Sequence, residues 1–540
     1  MDDKIYDYIV IGSGFGGSVS AMRLSEKGYS VLVIEKGKRY TAGDFPKTNW
    51  NIFKYLWAPL IRCFGIQQLS FFKEVFVLSG VGVGGGSLVY ANTHFVPPDA
   101  FFQNPVWAKF KDWKKTLLPF YEQAMFMLGT TKYQKIYEAD RVLKEIAEEM
   151  GRGETFDNVN VGVYFGNTEK EVDPYFNGLG PARKGCVECA GCMVGCRFHA
   201  KNTLDKNYLW FAEKFGAQIL PETLATRIEH QNGIYTVHTR SSTSWFSARK
   251  KTYRSRGLVV SGGVLGTLEL LLKQKYETRT LQNLSDQLGN QVRTNSEMIC
   301  GVHSFDRKLN HGIAISSVFN PDEVTHVEVV KFPDTSGLLG RLGTLATGPG
   351  KPAIRTLKLL VNILRNPWKV LRSYLNPKIM RGTVILLVMQ TLDNSMKMVW
   401  KKGLFGGRMH MENPGKRVPA YIDIGQQVMQ RYAEKVNGIG INAITEILLD
   451  MSTTAHILGG CPMGDSRETG VVNDKFEVFG YPNMYILDGS VVPANLGVNP
   501  SLTITALSEY AMAQIPEKEG HQGKNLNELL REQSPAFVSG

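Results

Sequence analysis

Two short runs hold residues whose types and spacing could do chemistry. The first is Ile9-Val-Ile-Gly12-Ser-Gly14-Phe-Gly16-Gly17, answered by Glu35 at the end of Val31-Leu-Val-Ile-Glu35. In a dinucleotide grip the first glycine permits a tight turn after an apolar strand, the second lets the backbone approach a pyrophosphate, and the third lets the next helix pack on the strand. Gly12, Gly14 and Gly17 fill those places. Glu35 is placed to accept from a ribose 2′-hydroxyl, which disfavours NADP and leaves FAD and NAD open. The second run is Cys186-Val-Glu-Cys189-Ala-Gly-Cys192-Met-Val-Gly-Cys196, a C-x2-C-x2-C-x3-C spacing. This is the spacing of a ferredoxin run, in which three thiolates ligate one [4Fe–4S] cluster and the fourth another; with no second run, a single cluster would take all four or three plus an outside ligand, and zinc or an unmetallated knot of thiols stays open beside it.

The elements that must position these groups are legible in outline. The apolar run from Ile5 is the nucleotide strand. A second glycine-rich stretch, Gly80 to Ser87 with Gly84 and Gly85, leaves the backbone bare where it would pass close to a phosphate or a flat cofactor. Residues 108–151 have helical spacing, as do 203–215 and 265–273. Strands are expected at 217–252, 257–263, 312–318, 326–332, 383–390 and 484–488, with a helix from Ser501.

With 540 residues, 43% apolar, the chain can bury large cores and is long enough for two or more domains. The net charge of +12 comes with no zinc-finger or RNP spacing, so nucleic acid is not an expected partner. One basic cluster is confined: from Arg355 to Arg381, cations alternate with leucines and Trp368, a pattern suited to a membrane interface, and Pro367 divides it into two short helices. The alternative is a surface helix pair whose apolar face is core. Residues 52–76 are rich in aromatics and could line a loop over an apolar pocket. No apolar run reaches the roughly eighteen residues a span needs, and none resembles a signal sequence, so a cytoplasmic protein is expected, with contact at the inner membrane face left open.

Taken in order, the Gly12 motif, Gly80 to Ser87, His456-Ile-Leu-Gly-Gly460-Cys-Pro-Met-Gly464, and Leu487-Asp488-Gly489-Ser490 through Asn499-Pro-Ser-Leu-Thr-Ile-Thr505 resemble a glucose-methanol-choline (GMC) flavin oxidoreductase. The resemblance covers Tyr6 to about Glu517 and is nearest to the bacterial cholesterol-oxidase-like branch. It implies non-covalent FAD and an α/β fold, in which a Rossmann-like FAD-binding domain is interleaved with an α+β substrate domain built on an antiparallel sheet. The implied division is 1–105, 196–300 and 450–520 for the FAD-binding domain, 106–195 and 301–449 for the substrate domain, and 521–540 for a C-terminal tail.

The resemblance also implies roles. His456 would draw off the hydroxyl proton of an alcohol while hydride leaves its carbon, and Asn499 would hydrogen-bond flavin or substrate. Glu328 would shuttle the proton that moves a sterol ring double bond from Δ5 to Δ4. Gly84, Gly85, Ser87, Asn92, Asp488 and Gly489 would join the grip on the cofactor. The implied reaction is oxidation of the 3β-hydroxyl of cholesterol or another bulky lipid alcohol. Alternatives are long-chain fatty-alcohol oxidation and a membrane-surface electron-transfer flavoprotein. The electron acceptor stays open between O2 and a quinone or protein carrier served through a cluster.

Overall fold

The computed structural model describes residues 4–244, 249–403, 406–412 and 418–533. The nucleotide strand Ile5–Ile11 is buried almost throughout, as a strand covered on both faces must be. It pairs in parallel with Val31–Ile34 on one side and Lys250–Val260 on the other. Gln218–Leu220 extends the sheet beyond Val31–Ile34, and Met484–Ile486 adds in parallel to the end of Lys250–Val260. An antiparallel meander of Thr223–Gln231 and Ile234–Ser241 completes it. Segments from both ends of the chain thus build one sheet. The helices Phe15–Glu26 and Ser501–Ala513 pack together, and Arg23 binds both carboxylate oxygens of Glu509 at 2.7 and 2.9 Å.

A second, wholly antiparallel sheet runs Gly343–Leu345, Gly438–Ala443, Met298–Ser304, Thr383–Gln390, Thr325–Val330, Ile315–Phe319 and Asp157–Asn158. Its side chains alternate between two environments. Met298, Val302, Val384, Leu386 and Val388 belong to the core that also takes in residues of the helices Glu138–Glu149 and Asp423–Lys435. Ile299, Gly301, Ile385 and Leu387 line a cavity on the opposite face.

Local chemistry trims several expected elements. The strand expected from 312 begins at Ile315, because Gly312 sits at φ +108°, where a strand cannot run. The helical stretch 108–151 divides into Trp113–Met127 and Glu138–Glu149, with Gly129 at φ +60° ending the first. The helix expected over 203–215 is confined to Tyr208–Lys214 after a short turn. The basic segment forms the two helices Pro352–Arg365 and Pro367–Leu375, each opening on a proline whose missing N–H costs nothing there. Residues 534–540 of the expected tail lie outside the described residues. Its earlier part forms the helix Leu526–Gln533, anchored by the Leu526 N–H to Glu26 at 2.7 Å.

Candidate active site

The cavity between the two sheets has a volume of about 1070 Å³, at the upper end for a site holding a single ligand. One half is a dinucleotide cradle. Gly12 stands at φ +98°, and a Cβ there would lie 2.1 Å from the Ser261 carbonyl oxygen; a Cβ on Gly17 would lie 2.0 Å from the Gly12 oxygen. Gly14 meets nothing within 4 Å, so the open space is where a phosphate would approach. The helix Phe15–Glu26 has no side-chain cap at its N-terminus, leaving first-turn N–H groups and the positive dipole end for an anion. Glu35 is buried and fixed: it accepts from the Ser13 hydroxyl at 2.8 Å, the Ser13 N–H at 3.1 Å and the Gly37 N–H at 2.8 Å. Asp488 also faces the cavity, held by Thr267 and the Ser490 N–H, and burial pushes its carboxyl above the usual range. These residues fit FAD.

Gly85 and Gly489 line the cavity, but Gly84, Ser87 and Asn92 do not. Their placement departs from the expected cofactor contacts for local reasons. The Ser87 hydroxyl donates to the Gly84 carbonyl at 2.7 Å and accepts from Leu204 N–H at 3.1 Å, so it is spent on bracing the glycine loop. Asn92, at φ +70°, is turned into the protein, while its neighbours Ala91 and Thr93 face the cavity.

The other half of the cavity is apolar, with Ile299, Ile315, Val330, Phe332, Ile385 and Leu387 on its wall. Two polar groups enter where the halves meet. His456 follows the short strand Ser452–Thr454 and precedes a turn at Gly459 and Gly460, both with positive φ. Its Nδ1 is held by Oε1 of Glu297, which is fully buried and also accepts from the Ala455 N–H at 2.8 Å. Nε2 is thereby left for the cavity. Burial alone would depress this imidazole, but the Glu297 carboxylate, with Glu328 beyond, holds it above its ordinary value of 6.5. Asn499 enters from the turn before the helix Ser501–Ala513; its Nδ2 donates to Glu328 Oε2 at 3.3 Å and its buried Oδ1 has no partner.

Glu328 stands one layer back. Its strand places it on the same face as Val330, yet Asn499 comes between its carboxylate and the cavity, and His326 Nε2 binds its other oxygen at 3.2 Å. The expected direct contact with a substrate is therefore absent as the side chains stand.

Sequence reading missed the turn Thr294-Asn295-Ser296-Glu297, which organises both groups. Asn295 and Ser296 are left-handed at φ +59° and +47°. Asn295 Nδ2 donates to Val498 O at 3.0 Å and its Oδ1 accepts from Gly497 N–H at 2.8 Å, fixing the approach to Asn499 while Glu297 fixes His456. The available signal was a polar run directly before an apolar strand, which reads as an ordinary surface loop.

The four clustered cysteines line a separate cavity of about 60 Å³. None of the seven cysteines is in a disulfide. Among the described residues no three His, Cys, Asp or Glu side chains are arranged to hold a metal ion.

Residues 181–287 and 414–508 match family models described as GMC oxidoreductase, and residues 10–48 match an NAD(P)-binding Rossmann-like domain. Curated cholesterol oxidases of Mycobacterium tuberculosis (strain H37Rv) and Acinetobacter baumannii are each 44% identical over 95% of this chain, covering 91% and 95% of their own lengths. The chain is a GMC oxidoreductase. As such it is an FAD-dependent oxidoreductase of alcohols. A long-chain-alcohol oxidase of Arabidopsis thaliana is 22% identical over 95% of this GMC chain and 68% of the relative. The crystal structure of pyridoxine 4-oxidase from Mesorbium loti has a similar fold, with a TM-score of 0.61 at 13% identity over 94% of this chain and 99% of that one. No helix among the described residues is long and apolar enough to cross a membrane.

Proposed function

We propose that this enzyme oxidises the 3β-hydroxyl of a sterol, or of a similarly bulky lipid alcohol, to the ketone, and then conjugates the ring double bond. The observation that carries the reading is the cavity itself: an apolar chamber continuous with a flavin cradle, with one carboxylate-backed histidine at the join. Oxidising an alcohol carbon removes a hydride from carbon and a proton from oxygen. Bound flavin supplies the hydride acceptor. His456, with Nδ1 committed to Glu297, presents neutral Nε2 to take the hydroxyl proton, and Asn499 orients the oxygen. Glu328 is the carboxylate for the carbon-to-carbon proton shuttle, reached when the Asn499 carboxamide swings aside. The cholesterol-oxidase relatives support the sterol reading and dioxygen, reduced to hydrogen peroxide, as acceptor.

A membrane-contacting mouth fits this substrate. The helices Pro352–Arg365 and Pro367–Leu375 expose Leu357, Leu360, Leu364, Trp368, Leu371 and Leu375. Between residues 335 and 392 there are nine Lys or Arg and no Asp or Glu. The adjoining Leu339 and Leu342 line the cavity, and Arg341 donates to the Ser373 and Asn376 carbonyls of the second helix and its exit. Each exposed apolar side chain would gain about 1.5–3 kcal/mol on full burial in lipid. The double substitution Leu364→Glu, Trp368→Glu is expected to weaken sedimentation with anionic vesicles at least tenfold, while turnover on detergent-solubilised sterol is kept.

Anaerobic flavin bleaching by a panel of alcohols tests the activity. A 3β-hydroxysterol is expected to reduce the flavin faster than C12 to C18 primary alcohols, and both faster than short alcohols. Preference for the linear chains would move the protein to the long-chain-alcohol reading, to which the 22% relative in Arabidopsis corresponds.

A further inference from the structure

The cysteine cavity is a site that alcohol oxidation leaves unexplained. Cys186, Cys189, Cys192 and Cys196 all line it, together with Lys201 and Pro333. Its loop is held in a costly conformation: Glu188 and Ala190 lie at φ +55° and +54°, a left-handed region that non-glycine residues enter only when the surroundings compel it. The compulsion is visible. Glu188 is pinned by the Tyr133 hydroxyl at 3.3 Å, the Tyr137 hydroxyl at 2.5 Å and Lys135 at 3.0 Å, and the Ala190 N–H donates to Gly312 O at 2.9 Å. The outcome is a loop whose backbone N–H groups turn toward sulfur, with the Glu188 N–H 3.3 Å from Cys186 Sγ. Successive N–H groups in such turns make a concavity for anions, iron–sulfur clusters included.

Charge points the same way. Lys201 is 1% exposed, and its ammonium donates only to three carbonyls, Leu88 at 3.0 Å, Tyr90 at 2.9 Å and Cys192 at 2.8 Å. Arg183, equally buried, donates to Lys201 O and Asn202 Oδ1. Among the described residues neither cation has a carboxylate within ion-pair distance, an expensive arrangement unless a negative charge sits alongside. A four-thiolate cubane carries net negative charge.

We propose that this cavity seats one [4Fe–4S] cluster on Cys186, Cys189, Cys192 and Cys196, with Lys201 as its buried counter-charge. The seat adjoins the flavin site, because Lys201 bonds the carbonyls of Leu88 and Tyr90 just after the glycine loop, and Met193, next to Cys192, lines the flavin cavity. The inference is independent of which alcohol is oxidised.

The test is metal and sulfide analysis of the full-length flavoprotein prepared without oxygen, and again after reconstitution with ferrous iron and sulfide. About four irons and four acid-labile sulfides per flavin are expected, with a paramagnetic signal of a reduced cluster after dithionite. Cys189→Ser, at the most exposed of the four, is expected to retain its flavin and lose one or more irons, leaving a three-iron signal in the oxidised protein. Lack of iron in both preparations, stoichiometric zinc, or full iron in Cys189→Ser would each overturn the proposal.

Discussion

Two fully buried carboxylates stand behind the cavity wall, and they are held in different ways. Glu297 sits in a turn, bonded to the Nδ1 of His456 and to the Ala455 N–H, so its negative charge acts on a ring that itself faces the cavity. Glu328 sits in the middle of a sheet with His326 on one oxygen and Asn499 on the other. The first is a positioning group, which raises and orients a base. On the proposed reading the second is a proton carrier kept in reserve, one amide away from the chamber. The difference teaches how one site could serve two proton transfers: the group that handles the oxygen-bound proton is always exposed to substrate, and the one that handles the carbon-bound proton is gated.

The largest effect belongs to the exposed arm. His456→Ala is expected to slow anaerobic flavin reduction by roughly 10²–10⁴-fold with flavin content unchanged, the usual worth of a positioned base. A loss under tenfold would mean that His456 only shapes the turn. Glu297→Gln comes next, with a slowing of roughly 10–100-fold and a displaced pH profile. Because His456 is held above 6.5, its base form is lost as pH falls through a value higher than that, so kcat/KM should rise with pH on an acid limb above 6.5. Removing the Glu297 charge lowers the imidazole and should carry that limb to lower pH; an unmoved limb would show that another group titrates. The smallest effect is on the gated arm. His326→Ala is expected to slow double-bond conjugation by about threefold through loss of one hydrogen bond to Glu328, leaving flavin reduction at its normal rate.

How legible each part was follows from how it is built. The Ile9 to Gly17 grip is a property of nine consecutive residues and one acid, and the clash distances at Gly12 and Gly17 are what their glycines announce. The flavin sheet's central strands and the helix at Ser501 were equally local. Glu328 was found through family resemblance, but a motif position does not say which way a side chain turns, as the inward-facing Ser87 and Asn92 show. Glu297 carried no signal beyond a polar run before an apolar strand. Its importance arises only when residue 297 is brought beside residue 456, a contact 159 positions apart. The cysteine run was conspicuous in sequence, but nothing in the run marks the buried cations Lys201 and Arg183 beside it.

The division of labour between the two carboxylates is tested most directly by one anaerobic mixing experiment in which a 3β-hydroxy-Δ5 sterol meets the wild type, Glu297→Gln and Glu328→Gln, with flavin bleaching and enone absorbance followed together. Glutamine keeps size and hydrogen-bonding capacity but cannot hold a proton. Glu297→Gln should bleach slowly, and Glu328→Gln should bleach at close to the wild-type rate while its product stays the unconjugated 5-en-3-one. Equal loss of both signals in Glu328→Gln, or conjugated enone formed at the wild-type rate, would contradict the account.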